Sequence, residues 1–213
     1  MDLSSPISSV IPSAHGAVLA VLARAGEPLS GRKVAELTDG KVGQWRTNEV
    51  LRALAEAGVV LREDRPPAKF YRLNREHVAA DGIVVLAEQW ALLLRRIQDV
   101  LDTWDPAPVS ACLFGSAARG EAGPGSDIDL LLVPPPDLGE TEAAERAWQQ
   151  EVDQLSEQVR VWSGNTCEVL ELTESELAES AAREDRLVRD LRDDAIALHG
   201  QDVRTLLRPA LPR

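Results

Sequence analysis

The stretch Leu113–Val133, LFGSAARGEAGPGSDIDLLLV, decides how the second half of the chain folds. An apolar run ends at a Gly-Ser turn, and a loop rich in Gly leads to a second apolar run headed by two aspartates. Residues i and i+2 of a strand share a face, so Asp127 and Asp129 point together while Ile128 points into a core. Two neighbouring carboxylates repel each other and raise each other's pKa, and a divalent cation removes this conflict. Carboxylate oxygens of this kind suit Mg²⁺ or Mn²⁺.

The turn that precedes the aspartates is suited to phosphate. Gly115 lets the backbone approach a ligand closely, and Ser116 can donate from its hydroxyl and its amide. The helix predicted to start there presents unpaired N–H groups that favour phosphate. Arg119, in the first turn of that helix, pairs either with a phosphate oxygen or with a structural Asp or Glu. The spacing therefore predicts an anion site beside a metal site, as nucleotidyl transfer requires.

The same residues resemble a known family. GSAARG, the six residues EAGPGS and then DID are similar to the signature of the DNA polymerase β-type nucleotidyltransferases, usually written GS…DxD. The match is closest to the minimal members of that superfamily and extends over roughly Val109 to Gly200. The resemblance implies that Asp127 and Asp129 hold the metal and that an NTP is bound by Gly115, Ser116, Arg119 and Ser126. The alternative is a turn followed by a strand capped with solvated aspartates.

In this family a third carboxylate on a later strand completes the metal site. The strand TCEVLEL offers Glu168 and Glu171, which are three residues apart and therefore face opposite sides of the sheet. The family's hydrophobic-acid-hydrophobic pattern fits Cys167-Glu168-Val169, which favours Glu168 as the third catalytic and metal-binding residue. Glu171 remains the alternative.

The rest of the second half alternates between strand and helix patterns. They predict an α+β domain over residues 106–213, with a small mixed sheet and flanking helices. The predicted strands are Val109–Phe114, Ile128–Val133 and Thr166–Leu172, and the predicted helices are Thr141–Trp162 and Glu174–Leu198. On the last helix, Asp190, Asp193 and Asp194 are interpreted as a solvated face.

The first half shows three amphipathic helix patterns followed by two β-like runs around a Pro-Pro turn. Ser30–Asn74, including the pattern LxxLxxAGVV…FYRLN, resembles the winged helix-turn-helix family. The resemblance implies that the third helix enters the major groove of double-stranded DNA and that the hairpin, or wing, reaches phosphates. A role in protein contacts or dimerisation is the alternative. The residues that would face DNA are Gln44, Trp45, Arg46, Thr47, Asn48, Arg52, Arg62, Arg65 and Lys69.

A long helix is predicted between the two halves. Over Asp81–Trp104 the apolar residues follow a spacing of three and four, which gives a stripe that pairs with its copy in a homodimer or packs within the chain. The predicted organisation is a flexible tail at 1–12, a winged helix-turn-helix domain at 13–77, a connecting helix at 78–105 and the nucleotidyltransferase-like domain at 106–213.

Charge and composition set further limits. Up to Arg75 the chain carries 11 basic and 8 acidic residues, and from Glu76 onward 12 and 27. This asymmetry indicates two domains with different partners and argues against a broad nucleic-acid surface in the acidic half.

Cys112 and Cys167 lie in apolar runs and are interpreted as buried thiols. With neither a signal-peptide pattern nor an apolar stretch of membrane-spanning length, a cytoplasmic protein without a membrane partner is expected.

Two functions fit the sequence. The first is a metal-dependent nucleotidyltransferase that moves an NMP from an NTP to a hydroxyl of a small molecule, a tRNA or a protein. Minimal members of the family often act as antitoxins that modify a partner toxin, so the resemblance includes that protein partner. The second is a transcription regulator whose nucleotidyltransferase fold only binds or senses nucleotide.

Overall fold

The computed structural model describes residues 1–208. The chain divides between Trp90 and Ala91 into two compact units, except that Met1 and Leu3 group with the second unit. We call them the N-terminal unit and the C-terminal unit. The described residues form helices and two small sheets, so the predicted α+β class is confirmed. None of the helices described for residues 1–208 is long and apolar enough to span a bilayer.

The N-terminal unit combines five helices with a three-stranded antiparallel sheet, whose strands lie in the order Leu29–Ser30, Ala68–Leu73, Val60–Arg65. Its core joins the buried faces of the second and fourth helices to the sheet, with Leu22, Leu51 and Leu73 at its centre. The elements are α1 (Ile7–Val10), α2 (Ala14–Arg24), β1 (Leu29–Ser30), α3 (Gly31–Glu36), α4 (Gln44–Glu56), β2 (Val60–Arg65), β3 (Ala68–Leu73) and α5 (Ala80–Ala87).

The C-terminal unit is built on a mixed four-stranded sheet, whose strands lie in the order Cys167–Glu171, Ile128–Val133, Ser110–Phe114, Ile196–Gly200. The first two of these strands are parallel and the other neighbouring pairs are antiparallel. This sheet is the small mixed sheet that the sequence predicts. Its elements are α6 (Gln89–Leu101), β4 (Ser110–Phe114), α7 (Gly115–Ala118), β5 (Ile128–Val133), a 3-10 turn (Leu138–Glu140), α8 (Glu142–Ser163), β6 (Cys167–Glu171), α9 (Glu174–Arg183), α10 (Arg186–Asp194), β7 (Ile196–Gly200) and α11 (Val203–Leu206).

The two faces of this sheet are set by the alternation along β5. Leu131 and Val133 face one core, which also contains buried residues of α9 and α10 such as Leu177 and Leu191. Leu130 and its neighbours at every second position face the other side and are equally buried. Full burial of one such leucine contributes about 1.5–3 kcal/mol, so the alternation strongly fixes the register of β5. Because Asp129 shares the face of Leu131, the register also fixes the side on which that carboxylate lies.

Three predicted elements differ in the structure. The predicted flexible tail contains α1, whose Ile7 is fully buried in the core of the N-terminal unit. The single helix over 81–104 is two helices, with a break at Glu88. The β-branched run Ile83-Val84-Val85 before the break lowers helix propensity. The boundary between the units falls inside the segment that the sequence predicts as a separate connecting helix.

The predicted helix Glu174–Leu198 is also wrong as one element. Glu184 adopts the left-handed conformation and ends α9, and the side chain of Asp185 caps α10 by accepting from the backbone N–H of Val188. The chain then forms β7, which pairs antiparallel with β4.

Both cysteines are free thiols; Cys112 is buried and Cys167 is half-buried, and burial raises the pKa of each to about 12.

Candidate functional site

The Gly-Ser turn lies directly against the second aspartate. Phe114, the last residue of β4, is paired with Asp129 on β5, so the turn leaves the sheet beside that carboxylate. Gly115 has a φ of +71°, and a Cβ at this position would overlap Oδ2 of Asp129. Only glycine combines this backbone conformation with so close a carboxylate.

Glu168 lies next to Asp129 across the parallel strand pair. The two residues are register partners on β5 and β6, and partners in register point to the same face of a sheet. The pKa of Asp129 is raised above its ordinary value, first because burial disfavours the charged form and then because Glu168 and Asp127 repel it. Arg119 acts in the opposite direction. The structure therefore brings the predicted carboxylates and Arg119 into one electrostatic environment.

Glu171, the alternative third carboxylate, has a different partner. Its carboxylate accepts a hydrogen bond from the indole N–H of Trp148 on α8. Three residues separate it from Glu168, so it belongs to the opposite face of β6. Between the two candidates, Glu168 is the one that the structure places beside Asp129.

The three carboxylates are suited to binding a divalent cation, because of their oxygen donors and their negative charge. Asp127, Asp129 and Glu168 offer only oxygen donors. Burial and then repulsion by Glu168 and Asp127 raise the pKa of Asp129, and Mg²⁺ or Mn²⁺ would offset both effects. Among residues 1–208, no three or more His, Cys, Asp and Glu side chains already converge closely enough to enclose a metal ion. The carboxylates thus form an open, solvent-accessible edge, at which Asp127 and Glu168 are exposed and Asp129 is half-buried.

Arg119 is held by two acids. Its Nε–H donates to Oε2 of Glu121 at 2.8 Å, and its Nη1 lies 3.5 Å from Oδ2 of Asp194. These acids, Glu121 foremost, raise the pKa of Arg119 above its ordinary value. Of the two partners that the sequence leaves open for Arg119, the structure shows the acidic one. The local charge pattern indicates a solvated face for Asp194, and no local pattern could have shown its partner, which is 75 residues away.

The loop before the aspartates is fixed by a residue that the sequence reasoning missed. Asn165 is almost fully buried, and its Nδ2 donates to the carbonyl of Ser126 at 2.9 Å. The hydroxyl of Ser126 in turn accepts from the backbone N–H of Gly123 at 3.1 Å. Gly164, left-handed at the end of α8, is a local signal for the helix end but not for the contact that Asn165 makes. Ser126 therefore shapes the loop that leads into Asp127.

The residues predicted to face DNA lie on the exposed face of α4 and on the β2–β3 hairpin, with one exception. Thr47 is fully buried, because it lies on the core-facing side of α4 together with Val50 and Leu51. Its predicted place among the DNA-facing residues is therefore wrong. The side chain of Trp45, in contrast, is among the most exposed apolar groups, with 72% of its surface accessible. The other exposed members are Gln44, Arg46, Asn48, Arg52, Arg62, Arg65 and Lys69.

A cleft of about 560 Å³ lies between α4 and this hairpin. Four cationic side chains line it, and none of its lining residues is acidic. Within the described part of the chain, three of these cations make no ion pair, whereas Arg62 is bound by Asp64. The four are Arg32, Arg52, Arg62 and Lys69. Arg32, on α3, is not among the residues that the sequence predicts here.

The raised pKa of Asp129 predicts a gain in stability for Asp129→Asn. The folded protein binds the proton of this carboxyl more tightly than the unfolded chain does, so the fold loses stability as the pH rises from the ordinary value of 3.8 through the raised value. Without metal we expect Asp129→Asn to have a higher Tm than the wild type at neutral pH, and the difference to shrink on acidification. Mg²⁺ should raise the Tm of the wild type and not that of the variant.

Thermal unfolding between pH 4 and pH 8, with and without Mg²⁺, measures both effects. Asp153→Asn is the control, since Asp153 is an exposed residue of α8. A Tm of Asp129→Asn below that of the wild type at neutral pH would contradict the electrostatic interpretation of this site.

One family model matches part of the chain. The family model described as a nucleotidyltransferase domain matches residues 94–197. The matched residues include β4, the Gly-Ser turn, β5 and β6, and they confirm the prediction of a nucleotidyltransferase domain in the C-terminal part of the chain. This is the superfamily-level assignment that the GS…DID pattern predicts.

Other known proteins add no functional information. No curated protein matches the chain. Among solved structures, it is similar to human N-acetylserotonin methyltransferase in complex with SAM, with 15% sequence identity and a TM-score of 0.29. That similarity covers 85% of this chain and 46% of the methyltransferase chain, so the chain spans less than half of that protein.

Proposed function

We propose that this protein is a metal-dependent nucleotidyltransferase that moves an NMP from an NTP to a hydroxyl acceptor. The observation that carries this proposal is the placement of Asp129 between the Gly115 turn and Glu168. A turn suited to phosphate that lies directly against one carboxylate of the edge matches what the reaction needs, since the triphosphate and its metal must touch each other. The family match over residues 94–197 supports the same reaction class.

Each part of the site has a distinct task in this reaction. Asp127, Asp129 and Glu168 would hold Mg²⁺ or Mn²⁺, which when bound neutralises phosphate charge and lowers the pKa of the acceptor hydroxyl. The backbone at Gly115 and the hydroxyl of Ser116 bind phosphate oxygens. The acceptor hydroxyl gives up its proton to solvent water and its oxygen bonds to the α-phosphorus. The bond from that phosphorus to the bridging oxygen breaks, and pyrophosphate leaves with the electron pair. Arg119 stabilises the charge on the phosphates.

The experiment is a transfer assay with the intact protein. ATP, GTP, CTP and UTP, each labelled at the α-phosphate, are incubated with the protein and Mg²⁺ in the presence of tRNA, of small hydroxyl compounds or of a protein fraction. Label in a covalent product, dependent on metal and with release of pyrophosphate, is the expected result. We expect the acceptor to be one of these three classes, and a partner toxin is the protein acceptor that the family resemblance suggests. Absence of label in every fraction, together with absence of NTP binding, would contradict the proposal.

We also propose that the N-terminal unit is a winged helix-turn-helix domain that binds double-stranded DNA. The element order supports it: the helices α2, α3 and α4 are followed by a hairpin, and β1 adds a third strand to that hairpin. The exposed face of α4 carries the side chains suited to base edges, namely Gln44, Asn48 and Arg52. The cationic cleft between α4 and the hairpin supports contacts with the phosphate backbone.

Replacing both Arg52 and Lys69 with Ala tests this second proposal. The slope of log K against log salt concentration is negative, and each lost phosphate contact reduces its magnitude by about 1. The double variant should therefore have a slope shallower by about 2 and should bind more weakly at every salt concentration. Fluorescence anisotropy with a random-sequence DNA duplex measures both quantities. Arg146→Ala is the matched control, because Arg146 is an exposed cation on α8 of the C-terminal unit. Failure of the wild type to retain duplex DNA at low salt would contradict the assignment.

A regulator that only senses nucleotide is the second candidate function. The observation that favours it is the open carboxylate edge, at which no three metal-ligating side chains converge among the described residues. The same assays separate the two candidates. A regulator would bind NTP and DNA but transfer no label to any acceptor, whereas the enzyme would do so with a dependence on Asp127 and Asp129.

A further inference from the structure

Arg119 is held between acids from two different elements. Glu121 follows it by two residues in the loop EAGPG, and its side chain is 64% exposed. Asp194 is the last residue of α10, and its side chain is only 29% exposed. A loop residue that is largely solvated is free to adopt many rotamers. A partly buried residue on a packed helix is not, so Asp194 is the partner that can fix the position of the guanidinium.

The helix α10 is a rigid support for Asp194. Val188 and Leu191 are fully buried in the core, and the N-terminus of the helix is capped by Asp185. This helix also contacts α7, the single turn that starts with the Gly115–Ser116 pair. Packing therefore fixes the position of α10 relative to the Gly-Ser turn.

The position of Asp194 is electrostatically unfavourable unless it has a cationic partner. An acid in the last turn of a helix faces the partial negative charge of the helix C-terminus, which disfavours it. Asp193 precedes it and has the same sign. Arg119 is the cation that the structure places beside it, at 3.5 Å.

This arrangement leaves part of the guanidinium available to phosphate. An arginine has five N–H donors in one plane. Nε donates to Glu121 and one Nη1 hydrogen is directed to Asp194, so within the described residues both N–H groups of Nη2 and one of Nη1 have no protein acceptor. Two neighbouring donors of this kind match the spacing of two phosphate oxygens. Arg119 directly follows α7, and α7 contacts β5, the strand that carries Asp129.

We propose that Asp194 is a positioning residue, which holds Arg119 beside the carboxylate edge so that its remaining N–H groups bind the triphosphate of the incoming NTP. The proposal rests on the proposed nucleotidyltransferase function and assigns to that site a residue outside the GS…DID pattern. It predicts that nucleotide affinity, and with it KM, depends on Asp194 through Arg119. The turnover of bound NTP should change much less.

The test measures binding of Mg²⁺ with a non-hydrolysable α,β-methylene NTP by isothermal titration calorimetry. We expect Asp194→Asn to weaken binding about tenfold, because one charged partner of Arg119 is lost. Asp194→Glu should recover part of the affinity. Asp190→Asn is the matched control: Asp190 lies on the same helix, is equally exposed and pairs with Arg186 instead.

A double-mutant cycle distinguishes positioning from a general effect on the fold. If Asp194 acts through Arg119, the substitution Asp194→Asn should have little further effect in a protein that already carries Arg119→Ala. Equal affinity of Asp194→Asn and the wild type, or full additivity of the two substitutions, would overturn the proposal while leaving the proposed function intact. A wild type that binds no NTP analogue overturns the proposed function and this proposal with it.

Discussion

Replacing Asp127 and Asp129 together by asparagine should lower kcat/KM for nucleotidyl transfer by about three orders of magnitude or more. The two carboxylates provide the negative charge that binds the metal, and asparagine keeps their size and shape while removing that charge. A catalytic metal contributes several kcal/mol of transition-state stabilisation, and about 4 kcal/mol corresponds to a thousandfold change in rate. Because the carboxylates repel each other in the folded protein, the loss of activity should not come with a loss of stability.

The matched control removes two acidic charges from a part of the C-terminal unit outside the carboxylate edge. Glu151 and Asp153 are exposed residues of α8 that flank the buried Val152, and Glu151→Gln with Asp153→Asn changes the net charge equally. This variant should retain the activity of the wild type. Transfer assays with labelled NTP and varied Mg²⁺ concentration measure both variants. Metal-dependent transfer that persists in the asparagine variant would place the chemistry elsewhere in the chain.

The elements of the C-terminal unit could be predicted where the signal is local. The apolar run Ile128–Val133, interrupted only by Asp129, marks a buried strand, and the structure has β5 over the predicted residues. The segment Ile196–Gly200 also contains apolar residues. It directly follows a charged helix pattern, so its sequence predicts a continuation of that helix. Its strand conformation depends on pairing with β4, more than 80 residues earlier, and this pairing has no local signature.

The same distinction holds for the candidate site. Spacing along one strand shows that Glu168 and Glu171 face opposite sides, but it does not show which of them lies beside Asp129. The register between β5 and β6 decides it, and register is a property of the folded sheet. Thr47 shows the same limit for a helix. Its neighbours in sequence are exposed, and Thr47 is buried because of how α4 is rotated about its axis when it packs against the core.

The contact between Asp194 and Arg119 is of the same long-range kind. Three acids within five residues of a charged helix are typical of a solvated face, and that interpretation uses only local charge. The packing of α10 against α7 brings one of the three to the candidate site. Sequence patterns thus predict the strands and the carboxylates on them, whereas the residues that orient the site come from elements distant in sequence.

Substituting Gly115 by alanine should remove most of the activity while leaving the fold largely intact. Two effects act at this position: the residue has a φ of +71°, and an added Cβ would overlap the carboxylate of Asp129. The first costs about 1–2 kcal/mol of stability for a residue with a side chain. The second forces Asp129 to turn away from its place beside Glu168, and a displacement of about 1 Å at a reacting centre can lower the rate about a hundredfold.

Two other glycines of the same segment separate these effects. Gly120 has a φ of +69° and no atom within 4 Å of the position that a Cβ would take, so Gly120→Ala has the backbone penalty alone. Gly123 has neither a left-handed φ nor a close neighbour, so Gly123→Ala should change nothing. We therefore expect both alanine variants to lose Tm through the backbone penalty, but a large loss of kcat/KM for Gly115→Ala only. If the two variants retained equal activity, the close approach of the turn to Asp129 would have no catalytic role, because their shared backbone strain would then explain every difference from the wild type.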